Sequence, residues 1–232
     1  MIRVDQDFVN SYLQDDWIAR AIKHEKNITK TIMFASQSWL ESDPVKRSIF
    51  SEIYSSLLYS EKGLRVLDIG GGVSQFTHEL SSRHYYSLTD LLAHDDQQIV
   101  QAALLEQGVE ILVKDWLSLE TENFDYVVCN DLLPNVDQRL SLFLEKFLPV
   151  SKNIILLLTW HNGNLFYATK RQDADELMFQ SSWRGDQLLP VLRDFSQFIV
   201  DYDEEKIQKS VKSPFRNGRS ACIVRFRGLQ QA

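Results

Sequence analysis

The stretch that most constrains the fold is Val66-Leu67-Asp68-Ile69-Gly70-Gly71-Gly72-Val73-Ser74. Apolar residues around a single acid read as a buried strand, the three glycines as a tight turn, and Ser74 as the start of a helix. Glycine has no Cβ and accepts positive φ, so a ligand can approach such a turn closely at a helix N-terminus. What the turn binds depends on the segments that follow it.

Residues 1–62 contain no glycine. Residues 1–62 carry apolar residues at helical spacing: Trp17, Ile18, Ala21 and Ile22, then Ile28, Ile32, Met33, Ala35 and Trp39, then Ile49, Ile53, Leu57 and Leu58. This predicts a helical cap broken near Ser42-Asp43-Pro44. Its polar residues, among them His24, Lys30, Gln37 and Arg47, read as solvated, or as lining a lid over the site below. Residues 63–232 form the second unit. Strands are expected at 64–69, 85–89, 109–113, 124–129 and 153–159, with helices between them near 74–83, 99–105 and 136–147. The pattern predicts an α/β, doubly wound, mostly parallel sheet. Residues 160–186 are polar and aromatic without a strand of their own and read as a substrate-side insertion. A helix at 187–198 and strands at 198–200 and 220–226 close the chain as an antiparallel pair.

Lys plus Arg number 25 and Asp plus Glu 32, a net charge of −7. That balance disfavours duplex nucleic acid and anionic membranes as partners. The cysteines, Cys129 and Cys222, lie in apolar runs and read as buried thiols; no CxxC pair or Cys/His cluster points to a metal. The first residues lack an apolar signal core, and the run Ile154–Leu158 is too short to span a bilayer, so a cytoplasmic protein is expected.

Ligands of a doubly wound sheet bind beyond the carboxyl ends of its strands. Four such ends carry suitable residues: Gly70, Gly71 and Gly72; Asp90 with Leu91; Asp115 with Trp116; and Asn130 with Asp131. Asp90 is spaced to accept bonds from both ribose hydroxyls. Asp115 suits an exocyclic amine such as adenine's, Leu91 and Trp116 suit the two faces of the ring, and Asn130 suits a charged amino-acid tail. A dinucleotide fingerprint requires glycine where Gln75 stands, which weakens a hydride-transfer reading.

The motifs from Leu67-Asp68-Ile69-Gly70-Gly71-Gly72 to Phe124-Asp125-Tyr126-Val127-Val128-Cys129-Asn130-Asp131 resemble those of the class I S-adenosylmethionine-dependent methyltransferases. The resemblance covers residues 64–159. It implies a Rossmann-like seven-stranded sheet with a C-terminal antiparallel strand, S-adenosyl-L-methionine as cofactor, and Asp68, Gly70–Gly72, Asp90, Leu91, Asp115, Trp116 and Asn130 as its binding residues. A histidine that many small-molecule members carry after the fourth strand is replaced here, at the position of Asn135. His161, directly after the fifth strand, is the first candidate base and Asp131 the second; His78, His84 and His94 read as solvated or packed.

The acceptor class is open. An adenine-N6 tetrad is absent, and an aromatic insertion beside a helical cap favours a small molecule methylated on oxygen or nitrogen. The basic residues Lys209, Lys212, Arg216 and Arg219 read either as a solvated turn or as an anion contact. A protein acceptor, a catalytically silent binding subunit and an NAD-dependent oxidoreductase are the alternatives. The oligomeric state is not legible.

Overall fold

The computed structural model describes residues 1–25, 34–92, 95–106, 109, 111–134, 136–163, 165–170 and 177–230. The cap begins with a strand, β1 (Ile2–Val4), followed by helices α1 (Gln6–Leu13), α2 (Trp17–Glu25), α3 (Ala35–Ser42) and α4 (Pro44–Tyr59). The break at 42–44 is where the sequence places it: Pro44 opens α4, and the Asp43 carboxylate caps it by accepting from the Val45 amide at 2.8 Å. The predicted apolar positions Ile28, Ile32 and Met33 lie outside the described residues, as do His94 and Asn135.

Alternating elements follow: β2 (Arg65–Ile69), α5 (Gln75–Arg83), β3 (Tyr85–Thr89), α6 (Gln97–Glu106), β4 (Ile111–Leu112), β5 (Phe124–Cys129), α7 (Leu140–Phe147) and β6 (Ser151–Trp160). A hairpin, β7 (Phe166–Lys170) and β8 (Leu177–Ser181), precedes α8 (Gly185–Asp194), α9 (Glu205–Gln208) and β9 (Ser220–Arg227). The main sheet has seven strands in the order β1-β9-β6-β5-β2-β3-β4. Strands β4, β3, β2, β5 and β6 run parallel, β9 runs against β6, and β1 runs against β9.

Leu156, Leu157 and Leu158 are fully buried because β6 lies inside the sheet with helices over both faces. One core packs α7 and α8 against Val127, Ile154, Leu156 and Cys222. The other packs the cap helices and α5 against Val66, Val128, Leu157 and Ile223. Both cysteines are buried free thiols, as expected. Among the described residues no helix is long and apolar enough to cross a membrane.

Three expectations require correction. The strand expected at 198–200 is a short 3₁₀ turn, Ser196–Phe198, with a single antiparallel bridge from Ile199 to Phe226. The place beside β9 is taken instead by β1, from the segment read as wholly helical. The 160–186 segment is not strand-free, since β7 and β8 pair within it. In addition, β4 is only two residues long.

Edge strand β1 is anchored by Arg3, whose guanidinium donates to the Lys206 carbonyl at 2.9 Å and the Ser220 hydroxyl at 2.8 Å. It also lies 4.4 Å from the centre of the Trp160 ring. Arg3→Ala therefore removes a buried charged hydrogen bond and a cation–π contact, and is expected to cost about 1–3 kcal/mol in urea unfolding. An unchanged midpoint would mean that β1 contributes nothing to the sheet.

Candidate active site

Strand order reverses between β2 and β5: β3 and β4 lie on one side of β2, β5 and β6 on the other. The carboxyl ends of these strands form one edge, with the glycine turn at its centre. Gly70 and Gly72 adopt φ of 69° and 66°, which side chains resist. Gly71 is required for a different reason. A Cβ there would overlap both carboxylate oxygens of Asp68.

Asp68 is 2% exposed. Its Oδ1 accepts from the Tyr54 hydroxyl at 3.0 Å and its Oδ2 from the Tyr86 hydroxyl at 2.7 Å. Burial raises the Asp68 carboxyl to about 7; the Tyr86 and Tyr54 hydrogen bonds oppose that rise and the Asp90 charge adds to it. A small cavity beside the carboxylate is lined by Phe50, Tyr54, Tyr86, Thr77 and the turn itself.

Asp90 ends β3 and holds the turn in place. Its Oδ2 accepts from the Gly72 amide at 3.1 Å and its Oδ1 from the Leu92 amide at 2.7 Å. Leu91 is 45% exposed beside it. Asp115, beyond β4, caps a 3₁₀ turn through the Leu117 amide and takes Arg139 bidentately at 3.3 and 2.8 Å. Its side chain remains 43% exposed, open to a further donor.

Trp116 is a core residue, not a surface for ring stacking. It is 3% exposed, packs against Phe143 and Phe147, and donates from Nε1 to Asp137 at 2.6 Å. The Arg139 guanidinium covers one ring face at 4.6 Å.

Asp131 follows β5 in the left-handed region at φ 66°. It cannot serve readily as a base. Arg219 donates to both its oxygens at 2.8 and 2.6 Å, and the Lys46 ammonium bonds Oδ2. Burial pushes this carboxyl up, but the Lys46 and Arg219 charges outweigh it and hold it below the ordinary carboxylate range. His161 lies directly past β6 and is 7% exposed. Its amide donates to the Trp183 carbonyl at 2.8 Å. Burial, then the nearby Arg219 charge, lowers its pKa below 6.5, so the ring is neutral near pH 7 as a base requires. Of the other histidines, His78 and His24 are exposed and His84 is packed, its Nε2 paired with the Leu57 carbonyl at 2.8 Å.

The cap reaches this edge through residues the sequence reading left as solvated or did not single out. Gln37, 4% exposed, accepts from the Gln75 amide at 3.0 Å and donates to the Gln75 side chain at 3.2 Å. Ser36 occupies the space that a Cβ at Gly72 would need. Lys46, Tyr54 and Tyr86 also escaped notice, because each is brought in by packing and not by a motif.

No protein-family model matches the sequence, and no curated protein matches it. Solved structures do. The N-methyltransferase NodS from Bradyrhizobium japonicum WM9, in complex with S-adenosyl-L-homocysteine, is similar at 13% identity, over 92% of this chain and 99% of that one, with a TM-score of 0.52. The chain has the class I methyltransferase fold. A Thermoplasma acidophilum structure is similar at 16% identity, over 92% and 99% of the two chains, with a TM-score of 0.50. In this methyltransferase fold Asp68 underlies the turn, and its charge state has a consequence for stability. Its folded pKa lies above the ordinary 3.8, so its contribution is fully present below 3.8 and is lost as pH rises to about 7. Asp68→Asn is therefore expected to flatten that part of the pH dependence of the melting temperature. An unaltered pH profile would place the titration elsewhere.

Proposed function

We propose that this chain binds S-adenosylmethionine across the β2–β5 switch point and transfers its methyl group to an oxygen or nitrogen of a small-molecule acceptor. The observation that carries the reading is the alignment of three separate strand ends on one edge. Gly70–Gly72, Asp90 and Asp115 adjoin there in sheet order, and Asp90 is bonded directly to the turn. NodS, with the same fold, is an N-methyltransferase in complex with S-adenosylhomocysteine, which supports the reading.

The residues fit the cofactor's donors and acceptors. Asp90 would accept from the ribose hydroxyls, Asp115 from the adenine amine, and Asn130 would contact the amino-acid tail. Leu91 alone would pack on the ring, since Trp116 is buried. When bound, the cofactor supplies an electrophilic methyl carbon on a sulfonium sulfur. The protein then has to orient an acceptor and exclude water. Asp68 and its tyrosines hold the turn, Ser36 and Gln37 close its cap side, and neutral His161 would take a proton from a hydroxyl acceptor.

Calorimetry with S-adenosylmethionine, S-adenosylhomocysteine and NAD tests the cofactor; failure of both sulfur compounds to bind would refute the reading. Asp90→Ala is expected to weaken S-adenosylhomocysteine binding by about 1–3 kcal/mol through the unpaired diol. In a turnover assay His161→Ala should lose activity while keeping cofactor affinity. The wild-type rate should rise with pH through a pKa below 6.5 and then level off. A flat profile would remove His161 as the base.

A further inference from the structure

Three elements far apart in sequence converge beside the glycine turn. Lys46 comes from the first turn of α4, Asp131 from the end of β5, and Arg219 from the residue before β9. The side chains are mostly buried, at 24%, 16% and 12% exposure for Lys46, Asp131 and Arg219. Two cations therefore share one carboxylate, and the group carries a net positive charge. Among the described residues neither cation has a second carboxylate partner. Burying unmatched charge is costly, and an anion placed against it recovers that cost.

Donor capacity remains at the same place. Arg219 Nε is buried without a partner. Lys46 bonds one carboxylate oxygen and lies 5.3 Å from the centre of the half-exposed Trp39 ring, leaving ammonium protons to spare. Thr159 pairs with Ala221 across β6 and β9. Just past these strand ends, His161 lies near enough to Arg219 for the guanidinium charge to act on its ring. The Thr159 hydroxyl is fully buried without a partner. The group is adjacent to the turn, since a Cβ on Gly70 would lie 3.7 Å from Leu132, the residue after Asp131.

We propose that Lys46 and Arg219, drawn together by Asp131, bind the acceptor through an anionic oxygen group, a carboxylate or a phosphate. This rests on the methyltransferase reading for the word acceptor, but the anion site is testable without it. Asp131 is the positioning residue. It holds two mutually repelling cations at one point, in a backbone conformation that most side chains resist. His161 lies beside the pair, so an acceptor anchored there would present neighbouring atoms to a neutral base.

The test is a titration of the protein saturated with S-adenosylhomocysteine, using benzoate, phenyl phosphate and benzyl alcohol as probes. One or both anions should bind about tenfold more tightly than the alcohol, and Lys46→Met and Arg219→Gln should each remove about that factor while leaving S-adenosylhomocysteine affinity intact. Asp131→Asn should weaken anion binding, because the two cations are no longer held at one point. Preference for benzoate would assign a carboxylate, and preference for phenyl phosphate a phosphate. Should the variants fail to fold, reductive methylation of the wild type followed by peptide mass spectrometry gives the answer. A bound anion should slow modification of Lys46 and not of exposed Lys62. Equal binding of benzyl alcohol, or no protection of Lys46 by either anion, would overturn the proposal. Protection of Lys46 in a protein that binds no S-adenosylhomocysteine would uphold the anion site and refute the methyltransferase reading.

Discussion

A buried carboxylate, held among the described residues by two tyrosine hydroxyls, lies under the glycine turn of this protein. Asp68 is buried on β2, takes one tyrosine from α4 and one from β3, and leaves room for Gly71 only because that residue has no side chain. Cap, sheet and turn are thereby tied through two oxygen atoms. Burial makes the group resist ionisation, and the two hydroxyls, which satisfy its lone pairs without countering its charge, offset that only in part. The turn therefore rests on a carboxyl that burial raises to about 7.

The other acids of the same edge have different partners. Asp90 holds two backbone amides, Asp115 meets Arg139, and Asp131 is enclosed by Lys46 and Arg219. Four carboxylates on adjoining strand ends thus differ in their partners, although the sequence writes them with one letter. Environment, not residue type, divides the labour between underlying the turn, holding its backbone amides, pairing with an arginine and gathering cations.

The parallel strands and the turn were legible because their apolar runs and spacing are local signals. Val66–Ile69, Tyr85–Thr89 and Phe124–Cys129 follow from composition over five or six residues, and Asp90 from its distance to Gly70. β1 escaped because three residues, one of them arginine, carry no readable alternation. Trp116 was misplaced because an aromatic after a strand suits a ligand face and a core equally. The choice fell to Phe143, Phe147 and Asp137, which lie more than twenty residues away. Arg219 stood out only as one of several nearby cations. Its meeting with Asp131 and Lys46 depends on the fold closing, which no single stretch encodes.

The pairing of β1 with β9 has a consequence for how the molecule is made. Ile2, Arg3 and Val4 lie beside Ile223, Cys222 and Ala221, a contact between opposite ends of the chain. β9 is the one strand to which β1 is hydrogen-bonded, and it also closes over β6. During synthesis β1 must wait for β9, so the far side of the sheet, with its apolar β6, stays open until β9 has emerged. Contacts of such sequence separation slow folding and lengthen the exposure of unpaired strands. The sheet is thus completed only when β9 is available, with β1 pairing on its outer side.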